Sequence, residues 1–87
     1  MYIIVTYDVN VSRVNKVKKF LRTFLNWVQN SVFEGELTES EIEQVRNRLR
    51  RIVNNEEDSV FIYQFRTKKE VKKEVIGVEK MPIEEIL

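Results

Sequence analysis

Residues 27–34 read WVQNSVFE, and they alternate: Trp27, Gln29, Ser31 and Phe33 fall on one side, Val28, Asn30, Val32 and Glu34 on the other. A period of two with distinct faces predicts a β-strand, and Gly35 marks its end. On both sides of this stretch the apolar period changes to that of a helix. Upstream, Val14, Val17, Phe20, Leu21, Phe24 and Leu25 share helical spacing, with Lys16, Lys18, Lys19 and Arg22 between them. That pattern predicts an amphipathic helix over 12–25, capped by Asn10 or Ser12. Downstream, Thr38 and Glu41 form a T-x-x-E capping box. Ile42, Val45, Leu49, Ile52 and Val53 then make one stripe that ends at Asn54-Asn55. Glutamates lead this second helix and arginines close it, which complements the helix dipole.

Three further strands are expected: YIIVTYD at 2–8, DSVFIYQF at 58–65 and, after a basic turn, EVIGVE at 74–79. The order is read as βαββαβ. Two helices on one face of a four-stranded antiparallel sheet make an α+β, ferredoxin-like domain. With no linker or repeat, 1–87 is one domain, with a core over about 1–79 and a C-terminal segment at 80–87. Two apolar surfaces lack cover in this plan. One is the second face of the sheet, because both sides of 2–8 are apolar and Phe61, Tyr63 and Phe65 share a side of 58–65. The other is Ile83, Ile86 and Leu87 in the tail. Together they predict a homodimer, sheet against sheet, in which each tail pairs with the other subunit's sheet edge.

Composition narrows the chemistry. The chain has 87 residues and neither cysteine nor histidine. Thiolate nucleophiles, Ser-His-Asp arrangements and histidine-held transition metals are thereby excluded. Carboxylates, hydroxyls, tyrosines, lysines and arginines remain, with a hard oxygen-seeking cation as the natural helper. The net charge is only +1, but before Glu34 the sole acid is Asp8, against Arg13, Lys16, Lys18, Lys19 and Arg22. A basic face of that kind favours a polyanion. The apolar runs are strand-length and the N-terminus lacks a signal-peptide pattern, so a cytoplasmic protein with no membrane partner is expected.

Asp8 stands at the end of an otherwise apolar strand. It is either a cap or turn-former between strand and helix, or a metal ligand. If two sheets pack about a two-fold axis, the same carboxylate from each chain can meet its copy there. At ~4 Å the two would repel by about 4 kcal/mol at an effective dielectric near 20. A divalent cation between them converts that repulsion into binding. Mg²⁺ suits such a place, since it takes one or two carboxylates and leaves positions for water or phosphate. The residues alone leave both readings open.

Tyr7-Asp8 at the strand end, the basic helix, the stretch Gln29, Ser31, Val32, Phe33, Glu34, Gly35 and the capping box together resemble the small CRISPR-associated endoribonuclease family, ferredoxin-like partners of the CRISPR integrase in spacer acquisition. The resemblance spans 1–87. It implies a homodimer in which each C-terminal segment completes the other subunit's sheet, and in which both Asp8 carboxylates face the axis and bind one Mg²⁺. It also implies cleavage of single-stranded RNA or double-stranded DNA, binding of prespacer DNA on a basic surface, and bridging of integrase dimers. Many relatives carry an arginine where this chain has Trp27; Arg13 or Lys16 can stand in for it.

In the enzymatic reading Asp8 holds the cation, which acidifies a water and stabilises the charge of a phosphorane-like transition state. Tyr7 points to the opposite side of a regular strand, so core packing competes with a catalytic role. Phe33 is either core or a base-stacking platform, and the resemblance sets it near the cleft. Ser31 is a candidate phosphate donor or an ordinary strand serine. Arg13, Lys16, Lys19 and Arg22 are candidate phosphate contacts, against the plain reading of a solvated helix face. The competing functions are a non-catalytic DNA-binding adaptor, a toxin-type ribonuclease and a ligand-sensing module. Against the last, no glycine-rich loop joins strand to helix.

Overall fold

In the computed structural model, which describes residues 1–80, the β-branched run Tyr2–Asp8 forms strand β1 at the centre of the sheet. Helix α1 is Val11–Leu21, strands β2 and β3 are Asn26–Gln29 and Val32–Glu36, helix α2 is Glu39–Ile52, and strand β4 is Ser59–Phe65. The sheet has the order β2-β3-β1-β4 with every pair antiparallel, which is the ferredoxin-like α+β arrangement.

The strand expected over 27–34 is a hairpin. The chain reverses at Asn30-Ser31, where Asn30 takes a positive φ of 38°, a conformation asparagine tolerates better than most residues. The Trp27 indole N–H donates to the Asn30 carbonyl at 3.0 Å and so closes the turn. Trp27 faces Phe33 and Gln29 faces Val32, with a register shift between them. The bulge interrupts strict alternation and lets Val28 be buried. Gly35, expected as the strand's end, lies inside β3 opposite Ile3. A Cβ there would meet the Leu25 side chain at 3.2 Å, so glycine permits the 22–25 turn to close against the sheet.

The βαββαβ plan is therefore met by this hairpin and not by residues 74–79, which join no ladder. Gly77, at φ 99°, breaks any extended run there. Residues 71–80 instead lie over the sheet face beside β2 and β3, and Lys73 Nζ reaches Glu34 Oε1 at 2.8 Å. Of the dimerisation segment expected at 80–87, all but Lys80 lies outside the described residues.

Helix α1 begins at its expected Asn10 cap, whose side chain accepts from Ser12 N–H at 2.9 Å. It ends earlier than residue 25, because Thr23 Oγ1 turns back onto the Phe20 carbonyl and Phe24 N–H bonds to Leu21 with the tighter i→i−3 spacing. Helix α2 opens on the expected reciprocal box: Glu41 N–H donates to Thr38 Oγ1 at 3.1 Å and Thr38 N–H to Glu41 Oε1 at 2.9 Å. Both helices cover one side of the sheet. Ile3, Val5 and Tyr7 of β1 meet Val17 and Leu21 of α1 and Val45 and Leu49 of α2, with Phe33 wholly enclosed among them.

Phe33→Ala should destabilise the fold by about 3–5 kcal/mol, the usual cost of emptying a large core site. Thr38→Ala should cost about 1 kcal/mol, the value of one helix cap. Urea unfolding of each variant at matched protein concentration checks both, and a Phe33→Ala loss below about 1 kcal/mol would contradict this packing.

Candidate functional site

Side-chain alternation along β1 sorts the candidate residues by sheet face. Ile3, Val5 and Tyr7 point to the helices; Ile4, Thr6 and Asp8 point the other way. The ladder places Phe61 opposite Thr6, Tyr63 opposite Ile4 and Ser59 opposite Asp8. Phe61 and Tyr63 are 56% and 47% exposed, their rings stacked with centroids 6.3 Å apart. Asp8 thus ends a largely apolar open face. Its carboxylate is exposed and, among the described residues, has no hydrogen-bond or ion-pair partner.

A bare carboxylate is a fitting hard-oxygen ligand for a divalent cation. One chain does not complete such a site: among the described residues no group of three or more acidic, histidine or cysteine side chains gathers in one place. Any cation at Asp8 would need further oxygens from a second copy, a phosphate or water.

Tyr7 and Phe33 are not beside Asp8. Their rings stack in the core with centroids 6.2 Å apart, Phe33 with no exposed surface, so its face is closed to a base. This corrects the expectation of a stacking platform: residues facing the helices in mid-sheet are the most enclosed in a two-layer domain. The Tyr7 hydroxyl is buried and makes no ordinary hydrogen bond among the described residues. Burial raises its pKa, while the nearby Ser31 side chain and the Arg22 charge pull the other way. Tyr7 therefore stays neutral at physiological pH and is no base. Ser31, half-buried in the hairpin turn, accepts from Tyr7 N–H through its carbonyl at 3.1 Å, and its hydroxyl is turned to the Tyr7 side. Of the four candidate catalytic residues, Asp8 alone projects from the open face.

The basic candidates divide as well. Lys16 and Lys19 of α1 and its C-cap residue Arg22 are exposed and fall at three-residue intervals, one stripe on the helix layer. That stripe lies on the opposite side of the sheet from the open face. Arg13 does not belong to it. Its Nε donates to Asp58 Oδ2 at 2.5 Å and its Nη2 to Asp58 Oδ1 at 3.0 Å, and Nη2 also pairs with Glu57. A guanidinium held by two acids is neutralised for phosphate. The expectation of an Arg13 phosphate contact gives way to a structural fork. Trp27 serves the hairpin turn.

Asp58 was invisible to sequence reasoning. It accepts from Arg13, from Asn10 N–H at 2.8 Å and from Asn54 N–H at 2.8 Å. A pairing across 45 positions leaves no local period to read. The Arg13 hydrogen bond foremost, then the two backbone N–H donors, hold the Asp58 carboxyl well below the usual carboxylate range, with burial opposing them. Glu34, 5% exposed on the open face and covered by Lys73, was missed for the same reason.

Fold and site together define a small ferredoxin-like protein with a single free carboxylate at the end of its central strand. The chain belongs to the family described as CRISPR associated protein Cas2, which it matches over residues 1–73. It is 58% identical to the CRISPR-associated endoribonuclease Cas2 of Pyrococcus furiosus over the whole of both chains. With the Methanocaldococcus jannaschii protein of the same name it shares 58% identity over all of this chain and 76% of that one. A crystal structure of Cas2 superposes with a TM-score of 0.87 at 53% identity, covering 95% of this chain and 93% of the other. The Streptococcus pyogenes Cas2 crystal structure gives 0.79 at 32% identity over 88% of this chain and all of that one. Among the described residues no helix is long and apolar enough to cross a membrane.

The depressed Asp58 pKa has a defined sign. A folded value below the unfolded one, about 3.9, contributes stability that is complete above roughly pH 5 and is lost as pH falls through the folded value. The difference in urea midpoint between wild type and Asp58→Asn should therefore be largest at neutral pH and shrink steadily below about pH 4. A constant difference down to pH 2 would contradict the fork.

Proposed function

We propose that two copies of this chain join through their open sheet faces and that the dimer is a Mg²⁺-dependent endonuclease on single-stranded RNA or double-stranded DNA. The observation that carries the reading is the free Asp8 carboxylate at the rim of a largely apolar face whose part beside β4 is uncovered. Burying Phe61 and Tyr63 against a second copy removes a patch that a lone chain leaves in water. The same two-fold operation would bring the carboxylates together, where their hard oxygens could hold one Mg²⁺. The relatives' name, endoribonuclease, supports the reaction class.

Mg²⁺, when bound, supplies Lewis-acid stabilisation of charge on the phosphoryl oxygens. The chain's own residues do the rest by placement. Asp8 would hold the ion, and the strand ladder to β4 fixes Asp8. Tyr7 and Phe33 hold the underside of that strand end against the helices and contribute rigidity rather than proton transfer. With no histidine in the chain, proton transfer falls to solvent and to the substrate's own groups.

A second reading is favoured by the separation of the two surfaces. Lys16, Lys19 and Arg22 lie on the helix layer, away from Asp8. A duplex lying along that stripe is bound through its backbone, independently of sequence and of the cleavage centre. In this role the dimer carries prespacer DNA and bridges subunits of the CRISPR integrase in the cytoplasm, with or without cleavage.

Asp8→Asn should abolish Mg²⁺-dependent cleavage of both nucleic acids while the sedimentation mass stays that of a dimer. A purified variant that cuts like wild type would contradict the catalytic reading. Joint reversal of Lys16, Lys19 and Arg22 to glutamate should eliminate duplex binding, with the salt slope falling by about 0.9 for each phosphate no longer neutralised. Asp8→Asn should leave that binding unchanged, and a reversal variant that still binds would rule out the basic stripe as the binding surface.

A further inference from the structure

The Asp58 carboxylate is held by more groups than a surface ion pair needs, and they converge on the segment that carries Asp8. Asp58 directly precedes Ser59, the ladder partner of Asp8. Its Oδ1 accepts from the N–H of Asn10, two residues beyond Asp8. One side chain therefore grips the chain after Asp8 and is covalently next to the strand residue that faces it. Its Oδ2 accepts from Asn54 N–H at the end of α2, and the Arg13 fork occupies both oxygens from α1. The Asp58 side chain has no exposed surface beneath these donors. Asn10 is fixed twice over, since it also caps α1.

We propose that the Arg13–Asp58 fork is a positioning device for Asp8: it locks the β1–α1 connection to the start of β4, so that the Asp8 carboxylate leaves the strand end in one direction. This rests on Asp8 being the cation ligand, as proposed above. Two Asp8 carboxylates that meet across a two-fold axis multiply any error in aim, because both depart together. A rigid connection on each chain is what lets a site of so few protein oxygens keep its geometry. Groups that orient metal ligands without touching the metal typically alter affinity by about 10–100-fold when removed. Lysine in place of Arg13 keeps the charge but cannot form the planar two-point contact. Asparagine in place of Asp58 keeps the shape but loses the charge that holds the fork.

The test uses the full-length dimer with Arg13→Lys, Asp58→Asn and Asp8→Asn. Mn²⁺ binding is read by electron paramagnetic resonance, and cleavage is read as a function of Mg²⁺. Arg13→Lys and Asp58→Asn should weaken ion binding by about 10–100-fold with circular dichroism and mass unchanged, and saturating Mg²⁺ should restore their cleavage rate. A merely structural fork would lower stability and leave ion affinity alone. Should Asp8→Asn lose the ion while the fork variants bind like wild type, the positioning role is overturned and the Asp8 centre stands. Should Asp8→Asn bind like wild type, the centre and the fork's role at it both fall. The unsubstituted chain gives a readout independent of mutant folding: the Asn10 amide and Arg13 Nε–H, hydrogen-bonded to Asp58, should already be protected from solvent exchange without metal and keep that protection when Mg²⁺ shifts the Asp8 resonance. Protection that appears only with Mg²⁺ would also overturn the proposal.

Discussion

One geometric constraint governs the molecule: two helices can cover only one face of its sheet. Everything apolar on the covered side closes into a core around Phe33, and everything on the other side is left to a different solution. Part of that face is met within the chain, where residues 71–80 lie beside β2 and β3 and Lys73 neutralises Glu34. The part beside β4 keeps Phe61 and Tyr63 in water. An 87-residue domain hides a modest share of its surface, so a second copy laid on this face would add core where the chain alone has least.

The same constraint separates the chemistry into two surfaces. Strand parity sends Tyr7 to the core and Asp8 to the open face, one residue apart and on opposite sides. The basic stripe belongs to α1 and therefore to the helix layer. Under the proposed function, cation binding would fall at the symmetry axis and backbone contact on the flanks. Changes to one surface have little reason to disturb the other. Arg13 joins the two layers, since its fork ties the first turn of α1 to the β4 side of the sheet.

Local signals were the legible ones. The capping box Thr38–Glu41 and the stripe of α2 depend on contacts three and four residues apart, and the structure places them as the spacing predicts. Strand β1 was plain from its β-branched run. The hairpin at 26–36 was hidden because Asn30-Ser31 is a weak turn signal beside an asparagine-glycine pair, and because Trp27 and Phe33 keep the same facing across the turn. Strand-like composition at 74–79 misled for the converse reason: no free partner edge takes it up, and Gly77 breaks its run. At the site, Asp8 was legible as an acid out of place. Arg13 was misread because its partners, Glu57 and Asp58, sit far away in sequence and close in space.

Two Asp8 carboxylates that share one ion at a two-fold axis fix the stoichiometry of Mg²⁺ binding. Isothermal titration of the metal-free protein with Mg²⁺, with concentration counted per chain, measures this directly. Saturation is expected at one ion for every two chains. One ion per chain, or no saturable binding, would contradict it.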